Sequence, residues 1–373
     1  MKSSLFISVC VATAVFLLCL PGRAMAQCDS LRADSGQQIP PTKAPKKLSW
    51  LRRTIRGFTQ IDTTYIEPQR YNFTVMIQNT GSFDRYTLHD NSGMSVRFAP
   101  KPSNKIGPYF GWRWIFLGYT VDIFAHDAGS RQSLNLSLYA NQLGVDLFYR
   151  KSGDNYRIDH FSVKSDISTG ALKNVSFDGF NSSERGINLY YIFNHKKFSY
   201  PAAYSQSTIQ RRSCGTALAG FSYSSHSVDV DWEKFYHLVD EKLGAGTSAE
   251  ILDTTRHSAN VKYIDYALSG GYAYNWVFAK NWLLDISAQG ALAYKKSHSD
   301  VNTNNKGFFR ELDFKNFNVD AIGRFAVVWN NMRWYAGLSA VFHTYNYLRN
   351  KFYVNTTFGN VNVYFGYNFG KRK

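Results

Sequence analysis

The sequence predicts an all-β protein: an antiparallel transmembrane β-barrel of about 12 strands, within a range of about 10 to 14. Aromatic residues make up 16% of the 373 residues and charged residues only 19%, whereas soluble domains carry about 25% charged residues. In many segments, apolar and polar residues alternate with a period of two, and turn residues lie between these segments. No apolar stretch of about 18 residues follows Gln27, so membrane-spanning helices are not predicted.

The first 26 residues have the pattern of an export signal. Lys2 supplies a positive charge, Leu5–Leu20 is apolar, and Ala24-Met25-Ala26 fits a cleavage site. Residues 1–26 are therefore predicted to be a signal peptide, and the mature chain to begin at Gln27. A retained membrane anchor is the alternative, which the helix breaker Pro21 disfavours.

Cleavage at this site would leave two cysteines, Cys28 and Cys214. Two unpaired thiols are the simpler interpretation, although the sequence does not decide whether the two cysteines form a disulfide. Acylation of Cys28 is not predicted, because Gln27 stands where a lipoprotein signal has a small residue. Without a C-x-x-C pair, the cysteines predict no metal site.

Residues 27–69 precede the first predicted strand and form a periplasmic leader. The section from Lys43 to Arg56 contains six basic residues and no acidic one. Leu48, Leu51 and Ile55 fall near one helical face, which would suit a basic amphipathic helix lying on an anionic leaflet. A flexible leader fits the same residues equally well.

The predicted barrel occupies residues 70–369, and its strands have one apolar face and one polar face. Tyr109–Phe116 is one such predicted strand, with Phe110 and Trp112 on its apolar side. The first predicted strand is Tyr71–Asn79, and another is Leu283–Tyr294. The polar faces hold Gly, Asn and Ser with isolated ions, which is typical of a barrel interior. The predicted lumen-facing charged residues are Arg113, Asp122, Asp146, Arg150, Asp320 and Arg324.

Unpaired ions in a narrow lumen cost several kcal/mol each, so contacts between arginines and carboxylates are predicted inside the barrel. Balanced pairs would make a filled lumen of small conductance. A stripe of uncompensated arginines would instead favour a pore that prefers anions.

The last predicted strand alternates regularly from Val361 to Phe369. It resembles the terminal strand that outer-membrane barrels present to the barrel assembly machinery, which is therefore a predicted partner. A basic tail, residues 370–373, follows the final aromatic residue.

The sequence contains no motif that assigns an enzymatic activity. Walker, H-E-x-x-H and G-x-S-x-G patterns are absent, and the glycines at 244 and 246 follow no βαβ pattern. No catalytic residue, metal site or cofactor is predicted, and export makes nucleic acid an unsuitable partner for the net charge of +16. The enzymatic alternative is a barrel hydrolase of phospholipid or lipid A, with His195, His226 or His298 beside a serine on the lipid-facing surface.

One segment concentrates positive charge: it contains His195, Lys196, Lys197, Arg211 and Arg212. Tyr200-Pro201 interrupts the strand pattern between these residues. The segment could fold inward as a plug lined by cations, or form a basic rim that binds lipopolysaccharide phosphates. The rim is slightly favoured because it requires no fold-back of the chain.

The same segment carries a family resemblance. Asn194–Tyr204 and Gln210–Gly215, together with Asp62–Ile66 before the first strand, are similar to the signature regions of an uncharacterised Gram-negative barrel family, domain of unknown function 4421 (DUF4421). The resemblance covers roughly Gln60 to Phe369, and Cys214 departs from the small residue expected there. It implies an outer-membrane barrel without an assigned activity, so no functional residues follow from it.

The predicted function is therefore that of an exported, non-enzymatic barrel in the outer membrane of a Gram-negative bacterium. It would serve as a narrow, porin-like channel or as a structural surface protein. Outer-membrane lipids and lipopolysaccharide are the predicted partners of its outer surface.

Overall fold

The computed structural model describes residues 60–90, 93–101, 103–112, 115–118, 121–122, 132–153, 156–164, 167–252, 258–297, 316–349 and 352–372. Residues Ile61–Lys373 form one compact unit. The predicted signal peptide, Cys28, the basic stretch from Lys43 to Arg56, Arg113 and His298 lie outside the described residues.

The described chain is mostly β-strand. The strands are β1 (Ile66–Pro68), β2 (Tyr71–Asp90), β3 (Ser95–Pro100), β4 (Ser103–Trp112), β5 (Ile115–Gly118), β6 (Val121–Asp122), β7 (Gln132–Tyr139), β8 (Leu143–Lys151), β9 (Tyr156–Ser162), β10 (Val175–Ser176), β11 (Phe180–Ile192), β12 (Thr208–Gln210), β13 (Cys214–Asp231), β14 (Ser258–Ala279), β15 (Trp282–Ser297), β16 (Phe317–Asn330), β17 (Trp334–Arg349) and β18 (Phe352–Lys371). The helices are α1 (Tyr200–Tyr204), α2 (Trp232–Leu243) and α3 (Thr247–Ile251), with a 3-10 turn at Gly170–Leu172.

Sixteen strands form one antiparallel sheet in the order β10-β9-β3-β2-β18-β17-β16-β15-β14-β13-β11-β8-β7, with β4 pairing β2, β5 and β6. The sheet curls on itself, since Phe148 of β8 contacts Phe358 of β18, with their ring centroids 5.3 Å apart. The predicted antiparallel barrel is confirmed. The described strands exceed the predicted number because short pieces add to it: β3, β9 and β10 branch from the end of β2, and β5 and β6 share β4.

The predicted strand Tyr109–Phe116 is wrong in its extent. Trp112 at the end of β4 pairs with Ile115 at the start of β5, so the chain reverses between them and forms a hairpin. The sequence has no Gly, Asn or Pro between these two residues. The alternation of aromatic residues therefore runs through the hairpin without a turn signal.

A belt of large apolar side chains surrounds the outside of the barrel. Leu268 is 70% exposed and Val319 is 65% exposed. Aromatic residues collect near one end of the belt: Trp112, Trp276, Phe278, Trp282, Trp334 and Phe365. Soluble proteins rarely expose a contiguous apolar surface of more than a few hundred Å². The belt and its aromatic girdle are those of a barrel that spans a membrane.

The start of β2 and the end of β18 lie at the end of the barrel that carries this girdle, where Tyr71 pairs with Lys371. Short turns at Lys280–Asn281 and Asn331–Arg333 lie at the same end. Short turns face the periplasm in bacterial outer-membrane barrels, so we call this the periplasmic end and the opposite one the extracellular end.

Among the described helices, none has the length and apolar character needed to cross a membrane.

Apolar side chains pack beneath α2 at the extracellular end. Trp232, Phe235 and Val239 on this helix are buried in one apolar cluster with Phe98 and Phe180 of the strands. The Asp231 carboxylate accepts a hydrogen bond from the Lys234 amide at 3.1 Å and so caps the first turn of α2. The cluster forms an apolar cap on the lumen.

The lipid-facing belt can be tested with Leu268→Arg, which places a cation near the middle of β14. Within a bilayer this change should destabilise the barrel by about 2–4 kcal/mol, against about 0.5 kcal/mol or less for an ordinary surface site. Denaturant titration in phospholipid vesicles measures the difference, with Leu268→Ala as the uncharged control. Equal stability of the two variants would contradict a bilayer contact at this position.

Candidate functional site

The chain between β11 and β13 folds into the periplasmic mouth of the barrel, and we call residues 194–213 the plug. Its only helix, α1, begins after Ser199, whose Oγ accepts a hydrogen bond from the Ala202 amide at 3.3 Å. Pro201 suits the first turn of this helix. Tyr200, Ala202 and Ala203 are buried against the barrel wall.

Side-chain hydrogen bonds attach the plug to strands on one side of the lumen. The donors and acceptors are Tyr204 Oη to Asp285 Oδ1 (2.6 Å), Gln206 Nε2 to Tyr364 Oη (3.0 Å), Asn330 Nδ2 to Gln206 Oε1 (3.0 Å), and Asn275 Nδ2 to the Ser199 carbonyl (3.0 Å) and Gln210 Oε1 (3.1 Å). These contacts reach β14, β15, β16 and β18. The plug is therefore a fixed part of the interior.

The residues before the first long strand bind to the plug. Strand β1 pairs with β12, and the amide of Asp62 donates to the Lys196 carbonyl at 2.8 Å. Hydrogen bonds from the hydroxyl and amide of Thr64 lower the pKa of Asp62, and the charge of Lys197 lowers it further. The sequence predicted a leader over residues 27–69. Within this range, Asp62 and β1 form hydrogen bonds with the plug.

The cations of the basic segment point away from the lumen. Lys196, Lys197, Arg211 and Arg212 are exposed at the periplasmic end, whereas His195 is buried. The Lys197 ammonium lies 5.1 Å from the centre of the Tyr65 ring, and the Arg212 guanidinium lies 5.7 Å from it.

The segment thus folds inward, as one sequence interpretation expected, but tyrosines and amides line it in place of cations. Contact between these cations and lipopolysaccharide phosphates, the basic rim that the sequence slightly favoured, stays a prediction.

Arg324 on β16 and Asp146 on β8 form an ion pair across the lumen above the plug. The Arg324 side chain has no exposed surface. Its Nη1 donates to Gln289 Oε1 at 3.0 Å, and the guanidinium lies 4.5 Å from the centre of the Tyr190 ring. Asn188 adds a 3.1 Å hydrogen bond to Asp146. Together these side chains form a polar layer in the lumen above the plug.

A second layer of ions lies closer to the extracellular end. Arg150 on β8 pairs with Asp84 on β2, again across the interior. The Lys295 ammonium lies 2.9 Å from Asp320 and 3.3 Å from Asp265. Asp320 therefore has a lysine partner where an arginine was expected. The Asp122 side chain lies outside the described residues, although its backbone pairs with Lys105.

A histidine and a serine are hydrogen-bonded inside the barrel. Ser224 Oγ and His226 Nε2 are 2.8 Å apart, and both residues are buried. They face the lumen beside Tyr263, so this pair lacks the lipid-facing position that a barrel hydrolase requires. The described residues contain no group of three His, Cys, Asp or Glu side chains that could hold a metal ion, and Cys214 is a free thiol.

The motifs at Asp62–Ile66 and at 194–215 are thus one structural unit, and both fall within a family match. The sequence matches the family described as Domain of unknown function (DUF4421) over residues 60–369. The chain belongs to this family. The resemblance predicted from these motifs is confirmed. No curated protein matches the sequence.

Solved barrels are similar at low identity. The P. putida toluene transporter TodX is 10% identical, with 81% of this chain and 91% of that chain covered and a TM-score of 0.21. OmpT, an outer membrane protein of Vibrio cholerae, is 10% identical over 79% of this chain and 98% of that one, with a TM-score of 0.25. The CymD monoaromatic hydrocarbon channel is 10% identical over 82% and 90%, with a TM-score of 0.26.

Replacing Arg324 with Met leaves the Asp146 carboxylate buried without its cation. We expect a loss of about 3–5 kcal/mol in the free energy of unfolding, the usual cost of breaking one side of a buried pair. Denaturant titration checks it, with Arg185→Met on the outward phase of β11 as the control. A loss no larger than that of the control would show that Arg324 is hydrated and not paired.

Tyr204→Phe removes the hydroxyl that donates to Asp285 and should destabilise the barrel by about 1–3 kcal/mol, because a buried acceptor loses its partner. Amide hydrogen exchange should also speed up at 199–206. Unchanged exchange in this variant would mean that the hydroxyl does not hold the plug.

Proposed function

We propose that this DUF4421 protein is a non-enzymatic structural barrel of the Gram-negative outer membrane whose lumen is sealed. The observation that carries the proposal is the layer formed by Arg324, Asp146 and Gln289, which crosses the lumen directly above the plug. A solute would have to break this layer and displace the plug to pass.

Three successive barriers support a sealed interior. The plug occupies the periplasmic mouth, the ion layers occupy the middle, and the apolar cap with Trp232 and Phe235 occupies the extracellular end. In the ion layers the described arginines have carboxylate partners, Arg324 with Asp146 and Arg150 with Asp84. An uncompensated arginine stripe, the feature that would favour an anion pore, has no support among these residues.

Export and assembly complete the proposal. The N-terminal sequence has the pattern of a cleaved signal peptide. Val361–Phe369 pairs with β17 on one side and β2 on the other, so the last long strand of the chain is joined to the first. Recognition of this strand by the assembly machinery would precede that closure.

Planar-bilayer recording tests the sealed lumen. Wild-type protein, folded as judged by heat-modifiable migration on gels, should give a small conductance or none. A variant in which 198–208 is replaced by a Gly/Ser linker should conduct more. The doubly substituted Tyr204→Phe, Gln206→Ala chain loosens the same segment with less risk to folding, and should show intermittent openings. A large, steady conductance of the wild type would overturn the proposal in favour of a channel.

A further inference from the structure

The lipid-facing surface near the periplasmic end contains an apolar groove of about 770 Å³. Val75 and Ile77 of β2 lie between two walls, one from β4 and one from β17 and β18. The wall residues include Phe110, Trp334, Phe365 and Tyr367. Val75, Ile77 and Phe110 are all more than one-third exposed, so the groove is part of the outer belt and not of the core.

A cation stands at the periplasmic edge of this groove. The Arg333 guanidinium is exposed and donates to Tyr367 Oη from Nε at 3.0 Å and from Nη2 at 2.7 Å. These bonds fix its position beside a residue that lines the groove. Guanidinium has five N–H donors, so donors on Nη1 and Nη2 remain for a further acceptor. No carboxylate forms a salt bridge with Arg333 among the described residues.

We propose that the groove binds an anionic phospholipid of the periplasmic leaflet, with an acyl chain along Val75 and Ile77 and the phosphate on Arg333. Arginine binds phosphate through paired N–H donors, and cations beside an aromatic girdle lie at the depth of lipid headgroups. Lys371 ends β18 at the same rim and adds positive charge.

The position of the groove fits a lipid as its occupant. The groove is continuous with the belt that contacts the bilayer, and its charged edge lies at the periplasmic end. Its apolar walls can contact an acyl chain, and the cation at its edge can bind a headgroup. The site is independent of the lumen, so it holds whether or not the barrel conducts.

Native mass spectrometry of the full mature chain, with phosphatidylglycerol or phosphatidylcholine of identical acyl chains, tests the site. One phosphatidylglycerol should remain bound in preference to phosphatidylcholine. Arg333→Gln should weaken phosphatidylglycerol binding about fivefold, the effect of one cation near a lipid surface. Val75→Trp fills the groove with an apolar side chain and should reduce the binding of both lipids.

Lys280→Gln is the matched control, because Lys280 is an exposed cation on the β14–β15 turn of the same rim. This variant should bind phosphatidylglycerol as the wild type does. The proposal is overturned if Lys280→Gln weakens binding as much as Arg333→Gln, since that result indicates general rim charge. It is also overturned if the wild type binds both lipids equally, or if Val75→Trp changes neither.

Discussion

The pairing of buried ions across the lumen is the constraint on which the rest of the structure depends. Because lipid surrounds the barrel, bulk water can hydrate a charged side chain that faces the lumen only if the lumen is open. Arg324 on β16 and Asp146 on β8 come from strands that are not neighbours in the sheet, and so do Arg150 on β8 and Asp84 on β2. Separating the members of a buried pair leaves an uncompensated charge and is strongly destabilising. The ions are therefore compatible only with a sheet that curls enough to bring them together.

The plug extends this interior towards the periplasm with hydroxyls and amides. Tyr204 of the plug donates to Asp285 on the wall, and Asn275 on the wall donates to the Ser199 carbonyl of the plug, so neutral donors join the two. Buried polar groups cost free energy unless they are hydrogen-bonded, which explains why tyrosine and asparagine line this segment. The cations that accompany it in sequence remain in water at the periplasmic end. The two segments that carry the family resemblance meet there, at β1 and β12.

The sequence could predict which residues of a strand face the lumen, but not which residues they pair with across it. Period-two alternation placed Asp146, Asp320 and Arg324 on inward faces, but strand order around the barrel decides what lies opposite. Lys295 was missed because the predicted strand stopped at Tyr294, one residue short of it. Asp84 was missed because the first strand was predicted only to Asn79. A charged residue that faces the lumen looks like a loop residue in the sequence, so the predicted strand ends before it. The small apolar residues of the plug do not show, from sequence alone, whether they face the lumen or lipid.

Solvent access to the space above the plug tests the sealed lumen most directly. Ser287 is buried on β15, in phase with Asp285. Ser287→Cys, in a chain with Cys28 and Cys214 changed to Ser, should resist a charged thiol reagent, while Lys280→Cys on the periplasmic turn should react at once. Labelling of both cysteines at the same rate, in protein that is folded in a membrane, would contradict a sealed interior.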